Sequence, residues 1–351
     1  MATLTQTAYY ARKIIKFGSI GIVALLILRI GYVTFKKNWQ VSHPTPPPAP
    51  TVAFGKLPKL DFPPRENLPP ITLKLETISG SLPTLSEQAK VFFVPQPSKS
   101  LLVWDNTKAW AQRLGFSQSP QETGTYDYRF VADTLPKVTL DVNVITRNFI
   151  LAYDWRGDLS VVSQNTSVSE SQATAILKSF LQGAQALADD LANGSASVFY
   201  LKYADGNMTK ALFSSEANFV KVNLFRQDVE GIKIYPPNPL EGNVSALIST
   251  AYPQFGGIIN LKFIHPTISY ENSATYPLKS ANEAWSQLAA GKGFVANLGN
   301  NPSGKVTIRK AYLAYYDSES IQNFLQPIIV FEGDNDFFAY VPAITDIWVE
   351  Q

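Results

Sequence analysis

The chain has 351 residues, 45% hydrophobic and 17% charged, with a formal net charge of +2. That length suits two folded domains, and the lack of any block of Lys and Arg argues against nucleic acid as a partner. There is no cysteine, and one of the two histidines, His43, lies in a proline-rich tract; this excludes disulfides, thiolate zinc sites, cysteine nucleophiles and multi-histidine metal centres, and leaves His265 as the base any Ser-His-Asp triad would have to use.

Residues Phe17–Phe35, "FGSIGIVALLILRIGYVTF", are the first element. At ~1.5 Å per residue they span about 28 Å, close to the hydrocarbon thickness of a bilayer. Phe17, Leu25, Leu26 and Phe35 would face lipid, and Arg29 lies close enough to the end to reach the headgroups. Arg12, Lys13 and Lys16 precede the span, Lys36 and Lys37 follow it, and Tyr9, Tyr10, Tyr32 and Trp39 suit interfacial belts. "YVTFKKNWQ" offers no small-residue cleavage site, and no polar stripe marks a soluble core helix. The pattern predicts a single-pass plasma-membrane anchor, with residues 1–16 cytoplasmic and the rest outside.

Residues 36–70 read as a linker. Ten of the 24 prolines lie between Pro44 and Pro70. Proline fixes φ and lacks an amide donor, so the tract favours polyproline II, and thirty such residues reach on the order of 90 Å. An SH3-type ligand is the functional alternative. The apolar insert "VAFGKLPKLDF" offers a part that can dock.

From Ile71 strand and helix signals alternate, and two α+β domains are expected, 71–165 and 166–351. "ITLKLETI", "AKVFFVP", "YDYRFV" and "VTLDVNV" read as strands, and "NTKAWAQRLGF" as a helix stopped by Gly115. The clearest helix is Ser169–Leu191, with a capping box at Ser169 and Gln172 and an apolar face including Leu177, Phe180 and Leu181. "NG" at Asn193–Gly194 ends it. Five strands follow, then a second capped helix, Ser280–Ala290, with Glu283 completing the box. "KVTIRKAYLAYYD", "QPIIVFEG" and "FFAYVPAI" close the chain, the last two joined by a turn at "EGDND". The expected fold class is α+β: antiparallel sheets, each covered by a helix.

Two stretches read alike, "RNFILAY" at Arg147–Tyr153 and "RKAYLAY" at Arg309–Tyr315. Alternation puts a basic residue, a leucine and a tyrosine on one strand face in each. That is packing information and contains no catalytic pair. Their flanks differ, which argues against duplication.

Glu332, Asp334 and Asp336 offer alternating oxygens for calcium, but the distal glutamate of an EF-hand loop is missing and the residues suit a hairpin turn. Nothing brings Glu271 and Glu283 together as an acid–base pair. His265, before Pro266, reads as a strand-end residue. Gly256–Gly257 lacks the lysine and serine of a phosphate loop, and no GxSxG, HExxH or SxxK sequence occurs. "NTS", "NGS", "NMT" and "NVS" are formal glycosylation sequons. Tyr312, Tyr315 and Tyr316 are the candidate binding surface, with the core as the competing place for them. No catalytic, cofactor-binding or metal-binding residue is assigned.

The run "TYPLKSANEAWSQLAAGKG", "VTIRKAYLAYYD", "LQPIIVFEG", "FFAYVPAI", with "VNLFRQDVEGIKIYP" before it, resembles the PepSY-like domains of the bacterial envelope. It is also similar to membrane-anchored regulators of a cell-wall sensor kinase in Gram-positive bacteria. With the anchor and "PPPAPTVAFGKLPKLDFP", the whole chain resembles single-pass envelope proteins of candidate-phylum bacteria. The resemblance implies a PepSY-like fold and an extracytoplasmic binding or regulatory module, without cofactor, that acts on an envelope protein or peptide. A carboxylate-based hydrolase and a structural spacer or assembly subunit are the alternatives.

Overall fold

A computed structural model describes residues 4–42, 48–97, 102–132, 138–165 and 168–350. His43, most of the first proline cluster and two residues of the "NTS" sequon lie outside the described residues. The chain divides into two compact units, Met1–Ala49 and Pro50–Gln351.

The first unit is one helix, α1 (Leu4–Ser42). Within it Arg12–Lys37 is long and apolar enough to cross a membrane, with a mean hydropathy of 2.0. The anchor residues Phe17, Leu25, Leu26, Arg29 and Phe35 are all exposed, as a helix apolar on every side requires of one that meets lipid. The helix continues through Lys36–Ser42, which the sequence assigned to the linker. No proline interrupts it before Pro44, and the residue before a proline is where helices end.

The second unit holds β1 (Thr72–Leu75), β2 (Gln88–Phe93), α2 (Val103–Arg113), β3 (Gln121–Glu122), β4 (Asp127–Val131), β5 (Val138–Asn143) and β6 (Phe149–Tyr153). Then come α3 (Glu170–Gly183), α4 (Asp189–Ala192), β7 (Ala196–Ala204), β8 (Asn207–Lys210), β9 (Phe219–Leu224), β10 (Ile234–Tyr235), β11 (Val244–Ile248) and β12 (Ile258–Phe263). The chain ends with β13 (Ser269–Pro277), α5 (Ala281–Ala289), β14 (Phe294–Asn297), β15 (Lys305–Tyr316), β16 (Phe324–Gly333) and β17 (Phe337–Pro342).

The α+β expectation is overturned: the chain is mostly β, 34% strand against 25% helix. The longest helix, α1, lies outside the second unit, whose helices have 14 residues or fewer. Two large sheets dominate. The nine-stranded sheet, β3-β4-β5-β6-β12-β11-β9-β7-β8, is antiparallel throughout. At about 4.8 Å per strand such a sheet is about 40 Å wide, and α3 at 1.5 Å per residue is about 21 Å long. One helix cannot cover it. α2 and α3 together fill part of one face, with Ala111, Ala173, Leu177 and Leu181 against Phe130, Leu140, Leu151 and Val222. Trp155 and Val161 pack with Phe219 and Ile259 in a separate cluster.

The eight-stranded sheet runs β1-β15-β16-β17-β14, with β10 on β15, β2 on β16 and β13 on β2. It is not purely antiparallel, because β1 and β10 both pair with β15 in parallel. Strands from either side of residue 165 pair within both sheets: β6 with β12, and β2 with β13. The two similar stretches lie in different sheets, in β6 and β15.

The proline-rich tract is no free stalk from Pro50 onward. Leu57 is fully buried, its amide bonds Trp348 O at 2.8 Å, and its carbonyl accepts Glu350 N at 2.8 Å. Phe62 stacks on Phe294 at 4.7 Å and meets Tyr316 at 4.7 Å. Arg65 donates to the Ala296 carbonyl. The insert docks because its apolar residues have an unfilled sheet surface to cover, and the prolines between them lack amides that would otherwise need partners.

Candidate functional site

Both capping boxes form, at Ser169/Gln172 and Ser280/Glu283. The long helix nevertheless stops at Gly183. Gln185 takes a left-handed φ of 56°, its amide bonds Gln182 O at 3.0 Å, and Ala186 N bonds Leu181 O at 2.8 Å. This is a Schellman ending. It turns residues 184–188 away from the helix axis and makes them one wall of a cleft.

The opposite wall is α2, through Trp110 and Arg113; the floor comes from Phe149 and Phe263; Arg147 and His265 complete the lining. The hollow is about 490 Å³, within the range of small-molecule sites. Trp110 meets Phe149 edge-on at 5.2 Å, Phe149 stacks on Phe263 at 4.9 Å, and Phe263 lies 5.9 Å from His265, a continuous aromatic row. Trp110 Nε1 donates to Ala184 O at 2.7 Å and ties the two walls together. Arg113 donates to Gln185 Oε1 at 3.2 Å. Arg147 is exposed and sits in the β5–β6 turn at a φ of 59°, a conformation that costs a non-glycine residue about 1 kcal/mol. Among the described residues no Asp or Glu lines the cleft. A larger hollow along α3, about 680 Å³ and floored by Ile176, Phe180 and Phe255, has no charged side chain among its described lining residues.

Behind His265 lies a buried charge cluster. Arg226, 3% exposed, follows β9 and donates through Nε to Asp317 Oδ2 at 2.8 Å and through Nη1 to Asp190 Oδ2 at 2.5 Å. Its Nη2 donates to Pro266 O at 2.6 Å. His265 Nε2 is 2.9 Å from Asp190 Oδ1 and 2.8 Å from Arg226 Nη1. One ring nitrogen can donate to the carboxylate or accept from the guanidinium, and not both. Burial alone would raise the Asp190 carboxyl, but the His265 hydrogen bond and charge, then Arg226, hold it well below the usual range. Burial and the Asp190 charge push the Tyr270 phenol up to about 12. The cluster joins the two sheets, since Arg226 follows a strand of one and Asp317 a strand of the other.

The tyrosines expected at a binding surface are packing residues. Tyr315 and Tyr316 are buried, and their hydroxyls donate to Lys90 O and Asp61 O. Tyr312 is half-buried and donates to Glu332 Oε2 at 3.1 Å. Burial is the first cause raising all three phenols. Glu332 also pairs with Lys310, and Asp334 makes a two-pronged pair with Arg309, so these oxygens are engaged. Asn335 and Asp336, both at positive φ, form the tight turn between β16 and β17. No group of three metal-ligating side chains occurs among the described residues. Glu283 is engaged in its capping box.

His265 does sit just past a strand, as its sequence context suggests. Its meeting with Asp190 and Arg226 had no local signal, because the three are separated by at least 36 residues. Trp110 and Arg113, three apart on a short helix, are the nearest thing to a cleft signal in the sequence.

No family model matches the chain, and no curated protein matches it. Among solved structures it is similar to an uncharacterized protein from Eubacterium rectale ATCC 33656, with a TM-score of 0.40 and 12% identity. The match covers 74% of this chain and 84% of that one.

Proposed function

We propose that this is a membrane-anchored binding protein: α1 holds it in the plasma membrane with the N-terminus cytoplasmic, and residues 50–350 form an extracytoplasmic head that takes a ligand in the α2–β6 cleft and so serves or regulates another envelope component. The observation that carries the reading is the preformed cleft, walled by two chain segments tied through Trp110 and floored by aromatic rings. The site is concave, with an aromatic floor and polar groups such as Arg113, Thr146, Arg147 and Gln185 around it, and such hollows are where ligands bind. The apolar character of Arg12–Lys37 supports the anchor, and Arg12, Lys13 and Lys16, ahead of Phe17, support its orientation. Because the chain lacks cysteine, single introduced cysteines test topology cleanly. In intact bacterial cells, a membrane-impermeant maleimide should label Leu212→Cys, on a residue 87% exposed, and should spare Gln6→Cys until the cells are lysed. The reverse pattern, or labelling of both, rejects the orientation; recovery of the full chain in the soluble fraction rejects the anchor.

A further inference from the structure

We infer that the cleft selects a small organic anion, a carboxylate carried on an aromatic or aliphatic body; this rests on the cleft being a binding site. Two guanidinium groups, Arg113 and Arg147, and the imidazole of His265 line a hollow with no acidic side chain among its described lining residues. In a chain whose charges nearly balance, with 30 basic and 28 acidic side chains, a lining of one sign stands out locally. The two arginines also differ from most basic residues flanking the strands. Arg129, Arg309 and Lys310 each face a carboxylate, at 2.6, 2.7 and 2.9 Å respectively. Arg113 has only the neutral Gln185 amide oxygen, and Arg147 has no side-chain partner among the described residues.

Arg147 adds a backbone argument. It occupies a left-handed position that glycine or asparagine would fill with less strain. Asn143 stabilises the turn by accepting from Ile145 N and Thr146 N at 3.1 and 2.9 Å, so the turn does not need an arginine side chain. A strained residue with an unpaired charge at the mouth of a cleft is where a ligand contact is expected. The guanidinium fork matches a carboxylate with two parallel hydrogen bonds, and the row Trp110, Phe149, Phe263 offers an apolar bed for the attached body. Acidic lining would repel such a ligand, and no Asp or Glu is among the described lining residues. Asp190, 2.9 Å from His265 Nε2, is paired with Arg226, so the cluster behind the imidazole carries both signs.

The test is isothermal titration calorimetry on the full chain in zwitterionic phosphatidylcholine nanodiscs, with empty nanodiscs as blank and three probes of one shape: 3-phenylpropionate, 3-phenylpropionamide and 3-phenylpropylamine. The carboxylate should bind one to one, about fivefold or more tighter than the amide, with the amine weakest. That preference should shrink as salt is raised, because the arginines are exposed. Arg147→Gln should bring the carboxylate down to the level of the amide with the melting temperature unchanged, and Arg147→Lys should keep part of the preference. Equal binding of carboxylate and amide, or a preference that survives Arg147→Gln together with Arg113→Gln, overturns the anion inference and leaves the cleft as a binding site. Binding by none of the three overturns the binding reading itself.

Discussion

Arg147 and Gly194 hold the site through opposite demands on the backbone. Arg147 keeps a side chain where the chain would be more relaxed without one. Replacing it by glycine should leave stability equal or raise it by up to about 1 kcal/mol, since relief of the left-handed conformation offsets the added freedom of the unfolded chain. Arg147→Ala keeps the strain and should give no such gain; urea denaturation of the two variants checks this. Gly194 is different. The sequence reads it as a helix stop, yet its φ is not left-handed. Its role is close approach: a Cβ there would lie 1.9 Å from Phe225 O and 2.8 Å from Asp190 O. Both are backbone atoms, and they flank the chain that carries Arg226 and Asp190. Gly194→Ala must therefore push two segments apart, and should cost about 2 kcal/mol or more, read as a lower urea midpoint. A variant as stable as the parent would show that the two segments yield freely.

At the scale of elements, the segment from Pro50 to Arg65 is part of the fold. Val52 N bonds Thr275 O at 3.0 Å, Tyr276 donates its hydroxyl to Gly55 O at 2.9 Å, and Gln326 donates to Pro58 O at 2.9 Å. A chain starting at residue 50 should thus fold, whereas one starting at residue 71 should lose cooperativity or aggregate, because it uncovers the surface under Leu57 and Phe62. Leu57→Ala alone should cost about 2–5 kcal/mol. Circular-dichroism melts of the truncations and the variant decide it; a sharp, unshifted melt from residue 71 would return the segment to the role of linker. Local signals made the capping boxes, the Asn335–Asp336 turn and the strands β5, β15 and β16 readable in advance. What was not readable is non-local. Sheet partners such as β1 and β15, some 230 residues apart in sequence, leave no mark on either strand alone, and a helix that looks able to cover a sheet says nothing of how wide that sheet becomes. The cleft suffers the same way: its walls come from four separated segments, and the left-handed backbones of Arg147 and Gln185 show only in the structure.

At the scale of the whole molecule, the Arg226 cluster is a charged tie between the two sheets, alongside the Asn243 Nδ2 hydrogen bond to Asp317 O at 2.9 Å and the Lys262–Glu319 pair at 2.8 Å. A tie of this kind makes the head's stability depend on pH in a predictable direction. The folded protein holds the Asp190 carboxyl below its ordinary range, while in the unfolded chain it titrates near pH 4. A lowered folded value means the ionised form belongs to the native state. Its stabilisation is therefore complete above about pH 5 and is lost as acid protonates Asp190 on the way down toward its folded value. Arg226 stays charged throughout and loses the charge of one of its partners once Asp190 is neutral. Asp190→Asn mimics that end state at neutral pH and should cost about 3 kcal/mol there, the penalty of removing one partner from a buried pair. Urea denaturation at pH 7 and at pH 3 should show the parent and the variant well separated at the first and closer at the second. An equal gap at both would mean that Asp190 contributes through shape and not charge.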